Sequence, residues 1–206
     1  MTYLNLSENI LLMRSLIGIF ILIFSLKSWC LADDIKDFQI EGMNIGDSLL
    51  DYYDKKEIQT AYDNATYYKD KIFTVIFVKK EKKKYNRIQV TLKPDDKKHI
   101  IYALEGIIDF DRKIDKCNQQ KKVIIQDLSQ IISSSKRVDD DRAFAADSTG
   151  ESFTYATWFF LNSGGHFSIS CTKMGDEVRK KNGWTDELSV SITSEELENF
   201  LRGNPY

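Results

Sequence analysis

The sequence has 206 residues, with 29 Lys and Arg against 31 Asp and Glu and a formal net charge of −2. A balanced, mildly acidic chain lacks the basic footprint of a nucleic-acid binder, and this length suits one domain with a real core. Only two prolines occur and no Pro- or Ser-rich linker divides the chain, which argues against two domains.

The N-terminus predicts export. Ser15 to Leu26 (SLIGIFILIFSL) is an uncharged apolar run, shorter than the roughly 20 residues that span a bilayer. Arg14 precedes it. Cys30 and Ala32 put small residues at −3 and −1 of a cut before Asp33, the signal-peptidase pattern. Residues 1–32 therefore read as a signal peptide cleaved after Ala32, with the mature chain in the periplasm or secreted. Residues 1–12, with Glu8, make an odd n-region, and a start at Met13 would give a compact signal. Lys27, Ser28 and Trp29 before Cys30 speak against a lipidated cysteine. An uncleaved anchor, lengthened by Leu11 and Leu12, is the alternative to cleavage. Removing Arg14, Lys27 and Glu8 leaves 27 basic and 30 acidic residues.

Along the mature chain, Phe38 to Ile40 reads as a short strand. Asp47 reads as the N-cap of a helix carrying Leu49, Leu50 and Tyr53, with another helical turn within Lys55 to Asn64. Lys71 to Val78 is a buried-strand run. Ile88, Val90 and Leu92 alternate with polar residues, the mark of a half-buried strand. Ile100 to Phe110 is long for one strand, and Gly106 predicts a bulge within it. From Val123 to Ile132 the apolar period becomes helical, and that stripe extends upstream to Cys117. Ser133 to Gly150 is polar and reads as a mobile loop. Phe153 to Leu161 and His166 to Thr172 are strands joined by an Asn162–Gly165 turn. Leu188, Val190 and Ile192 mark a last strand. Thr193-Ser194-Glu195-Glu196 reads as a capping box opening a final helix striped by Leu197, Phe200 and Leu201.

The pattern predicts an α+β fold over 33–206: an antiparallel sheet with helices on one face, in two αβββ halves meeting near Asp111. Cys117 and Cys171, an even pair in an exported chain, predict a disulfide closing a loop of a little over 50 residues.

With these residues placed, FQIEGMNIGDSLLDYY from Phe38, IYALEGIIDF leading into Cys117, and SISC ending at Cys171 resemble uncharacterised short secreted or periplasmic proteins of AT-rich marine bacteria. That resemblance implies export and no activity. The Ile45-Gly46-Asp47-Ser48 turn also resembles the start of small envelope-assembly proteins and of secreted inhibitor domains with repeated helix-plus-sheet halves. Fold alone does not fix function.

No catalytic set converges in the sequence. His166 follows Ser163-Gly164-Gly165, where a nucleophile and a base are conceivable, but a solvent-facing residue after a hairpin turn is the plainer reading. His99 reads as a surface residue. Asp139-Asp140-Asp141 with Asp147 reads as a solvated acidic loop without the spacing of a calcium loop. Asp109 and Asp111 flank Phe110 and read as capping groups for the next helix; as an acid–base pair they would need a cleft. The run Lys79 to Tyr85 is the strongest basic patch. Tyr52, Tyr53, Tyr62, Tyr67 and Tyr68 crowd the first half, as a contact surface or as packing. The expectation is a non-enzymatic exported domain, without cofactor or metal, binding an envelope protein or a small ligand and retaining no membrane anchor after cleavage. The alternatives are a periplasmic hydrolase or metal-dependent enzyme using Asp109, Asp111 or His166, and a membrane-anchored envelope protein.

Overall fold

A computed structural model describes residues 35–78, 84–132, 135–162 and 164–203. The predicted signal peptide, with its cut after Ala32, lies outside the described residues. So do 79–83 of the lysine run and Ser163. Among the described residues no helix is long and apolar enough to cross a membrane.

The chain enters through a 3-10 turn, Ile35–Asp37. The strand expected at Phe38 to Ile40 is a single bridge between Ile40 and Met43. Glu41 and Gly42 both take positive φ (53° and 83°), as a tight primed hairpin turn requires, and the chain reverses before a strand can extend. Phe38, Ile40 and Met43 are buried and plug the core beneath it.

Asp47 does not cap the next turn. Its carboxylate accepts from Asn44 N (2.9 Å), Asn44 Nδ2 (3.1 Å) and the Tyr52 hydroxyl, while Ser48 caps the 3-10 turn Leu49–Asp51. Helix α1, Lys55–Tyr62, starts at Asp54 with a full capping box: Glu57 N donates to Asp54, and Glu57 accepts from Asp54 N, both at 2.8 Å.

Four strands follow: β1 (Thr66–Tyr67), β2 (Thr74–Val78), β3 (Arg87–Leu92) and β4 (Ala103–Asp111). Helix α2, Ile114–Ile131, opens the second half. It is followed by β5 (Lys136–Ala143), β6 (Phe153–Phe160), β7 (His166–Lys173), α3 (Asp176–Asn182), β8 (Asp186–Thr193) and α4 (Glu195–Leu201). All eight strands form one antiparallel sheet in the order β1-β2-β3-β4-β8-β7-β6-β5. Each half is thus a helix followed by a four-stranded meander, and the last strands of the two halves meet at the centre. The fold is α+β as expected, with each half one strand longer than the αβββ reading.

Alternation divides the sheet into two faces. Ile76, Val90, Leu104, Ile192 and Phe167 are buried on the face covered by α1 and α2. Helix α2 brings Ile124, Ile125 and Leu128 to that core, with Cys117 bonded to Cys171 of β7 across a Cα separation of 6.0 Å. The short α4 lies on the opposite face, where Leu197 joins Phe73 and Ala103. Ser194 caps it through Leu197 N, but Leu197 occupies the third helical position, so the reciprocal half of the expected capping box is missing.

Three local expectations change. Gly106 sits in regular pairing with Ile88 and Val190, and the bulge falls between Asp109 and Asp111 instead. A Cβ at Gly106 would lie 2.4 Å from the Tyr85 ring, so this glycine is the seat of a buried aromatic. The expected loop from Ser133 to Gly150 contains β5, an edge strand. Helix α3 fills a stretch in which the sequence shows no apolar period.

Candidate functional site

The uncovered face of the sheet is built from the polar halves of its alternating strands. Cross-strand register sets Ser168 opposite Ser191 and Ser170 opposite Ser189, with Glu105 beside Ser191 on the other side. The serine side chains are short. Taller ones surround them: Trp158 and Phe160 from β6, Tyr68 before β2, and Leu197, Leu201 and Arg202 in and after α4. Small residues in the middle and large ones around them leave a trough of about 780 Å³, within the range of ligand pockets.

Glu105 stands on the floor of the trough. Gln89 Nε2 donates to its Oε2 at 3.0 Å, and Ser189 Oγ donates to Oε1. Burial pushes its carboxyl above the usual range, with neighbouring Glu187 adding to the rise. Glu187 is itself raised by burial, although Arg87 opposes this from 2.6 Å while also holding Asp109 at 2.8 Å. Glu105 therefore holds its proton more tightly when folded than when unfolded. Its favourable contribution is complete below the unfolded value near 4.5 and is lost as pH rises through the higher folded value. Glu105→Gln is expected to show a stability gain over the parent that grows from pH 4 to pH 8, measured by urea unfolding. Parallel pH profiles would refute the shift.

His166 occupies the end of the trough under α4. It is 3 % exposed, not solvent-facing as the turn beside it implied, because Trp158, Phe160 and α4 enclose it. Its Nδ1 lies 2.6 Å from Glu198 Oε2, and Arg202 Nε donates to Glu198 Oε1 at 2.7 Å. Burial pushes the imidazole below its ordinary value against the pull of Glu198, so the neutral ring prevails at pH 7.

Asp109 and Asp111 lie away from the trough, along a second, more open hollow with Phe110, Lys113, Lys116 and Thr185. Asp109 is held by Arg87, and Asp111 sits across the bulge at φ 53°. Neither caps α2, whose N-cap is Lys113 without a side-chain bond. Asp139, Asp140 and Asp141 lie in β5, where alternation sends them to opposite faces and breaks up the oxygen cluster. Asp139 accepts from Thr157 Oγ1 at 2.6 Å, and Asp140 pairs with Arg142 at 3.2 Å. Asp147 closes its own turn by accepting from Thr149 N and Ser152 N. Among the described residues no three His, Cys, Asp or Glu side chains gather as a metal site. His99 is partly exposed at φ 49°, with its ring 6.0 Å from that of Tyr62. The tyrosines scatter: Tyr53 is buried, Tyr52 is bonded to Asp47, Tyr67 is exposed, and Tyr68 alone of the five reaches the trough.

Sequence reading missed the serine floor. The available signal was a Ser-x-Ser repeat at 168–170 and again at 189–191, each in a strand whose other face is apolar. Fold and site together define an α+β protein with one sheet face covered by α1 and α2 and the other, flanked by α4, left open as a hydroxyl-lined trough. No family model, no curated protein and no solved structure matches the chain.

Proposed function

We propose that this chain is an exported binding module that takes a small ligand, or a segment of an envelope partner, into the trough. The observation that carries this reading is the open sheet face itself, floored by short side chains and walled by aromatic ones. The disulfide and the predicted signal peptide support a site of action in an oxidising compartment. The hydrolase reading retains His166 and its Glu198 neighbour in the trough, while Asp109, paired with Arg87, and Asp111 lie together outside it.

The test is capture in the native envelope. Chemical crosslinking followed by purification through a C-terminal tag is expected to retain a ligand or partner on the parent chain. Ser191→Trp fills the floor from a position that carries no core packing, and is expected to abolish that capture at an unchanged melting temperature. Equal capture by a folded Ser191→Trp chain would overturn the trough as the binding site.

A further inference from the structure

Resting on the reading of the trough as a binding site, we infer that its ligand is a neutral polyhydroxylated molecule, a sugar or short saccharide. The first ground is charge. The ionised groups lining the trough are already paired: Asp140 with Arg142, Glu198 with Arg202, and Asp139 with Arg137 beyond the lining. Glu105 is occupied by Gln89 and Ser189. A charged ligand entering here would lose its hydration without meeting an unpaired counter-charge, a costly exchange.

The second ground is the floor. The hydroxyls of Ser168, Ser170 and Ser191 make no hydrogen bond among the described residues, and neither does the indole N–H of Trp158. Each serine hydroxyl is both donor and acceptor. An apolar ligand would strip water from all of them and return nothing. A ligand bearing several hydroxyls replaces that water group for group.

The third ground is the wall. Trp158 and Phe160 stand nearly parallel, 11° apart with centroids separated by 6.3 Å. The Arg142 guanidinium lies 5.7 Å from the Trp158 centroid, and that of Arg202 lies 5.4 Å from the Phe160 centroid. Where a ring face is already covered by a guanidinium or by the neighbouring ring, a ligand can meet only the ring's edge. Aromatic edges carry the positive end of the ring quadrupole and favour oxygen atoms over cations.

The purified exported chain would be screened on an array carrying neutral, anionic and amino glycans together with neutral extended peptides. Neutral glycans are expected to be retained in preference to the charged ones. In calorimetric titration with the best neutral glycan, Ser168→Ala/Ser191→Ala is expected to lose affinity by about tenfold, the scale of two modest hydrogen bonds. Its melting temperature should match the parent. Preference for charged glycans or peptides, absence of any retained neutral glycan, or undiminished affinity in the double variant would each overturn the proposal. If Ser191→Trp still abolishes envelope capture in those cases, the trough remains the binding site and only the ligand class is wrong.

Discussion

Replacing Cys117 and Cys171 together with alanine is expected to lower the melting temperature by roughly 8–16 °C. The bridge closes a loop with a sequence separation of 54, and chain-entropy reasoning values that closure at about 4 kcal/mol. Its placement makes the loss structural as well as entropic. Helix α2 follows an N-cap, Lys113, that makes no side-chain cap bond, so its first turn lacks the usual anchor. The disulfide fixes that same turn to β7, and both cysteines are fully buried. Farther along, Lys121 Nζ donates to Tyr155 O of β6 at 2.7 Å, and Ile124, Ile125 and Leu128 hold the helix by packing. Reducing the parent chain provides the control, because it opens the loop without removing the sulfur atoms from the core. Calorimetric melts should show a large drop in the parent on adding reductant and none in the double variant. A double variant melting within about 2 °C of the oxidised parent would show that packing, not loop closure, holds α2.

What was legible in the sequence follows from what periodicity can encode. Ile88, Val90 and Leu92 alternate because one face of β3 meets the helices, and that pattern is local. The same holds for β7 and β8 and for the stripe of α2, whereas β6 shows itself only as a run of aromatic and β-branched residues, apolar on both faces. Strand β5 has no such pattern. Its residues KRVDDDRA hold one branched apolar side chain, and its backbone is recruited by eight paired positions along β6. Charges suit an edge strand, where they discourage pairing with other chains, and the same charges make it look like a loop. Helix α3 is seven residues long and buries Val178 alone, too little for a period to emerge. The trough was hidden for a related reason. Ser168 and Ser191 are 23 positions apart in sequence and face each other only once β7 and β8 are in register. Glu105 comes from the other half of the chain altogether. Alternation marks these residues as facing away from the core, but the walls that turn an outer face into a cavity come from α4 and β6. Their positions follow from strand order, and composition carries no trace of it.

Asp186→Ala is expected to destabilise the chain by about 3–5 kcal/mol, the cost of leaving a buried charge without its partner. Asp186 is 2 % exposed at the first position of β8. Its Oδ1 accepts from Met174 N at 2.9 Å and from Arg179 Nη2. Arg179 also donates from Nε to Met174 O at 3.0 Å and reaches Asp111 O at 3.4 Å. One carboxylate thus ties α3, the end of β7 and the start of β8 to the end of β4. Truncation strands a guanidinium and a buried backbone N–H at once. Asp186→Asn keeps the shape and an acceptor and should lose less. Arg179→Ala/Asp186→Ala should lose less than the sum of the two single changes, because neither partner is then left uncompensated. Urea unfolding of the four chains measures this coupling directly, and strict additivity would show that the two side chains act independently. The consequence reaches the trough, since Glu187, Ser189 and Ser191 continue from Asp186 along the same strand. A folded Asp186→Asn chain that retains capture in the envelope, beside a weakened Asp186→Ala chain that loses it, would place this network as the support of the floor and not as part of the binding surface.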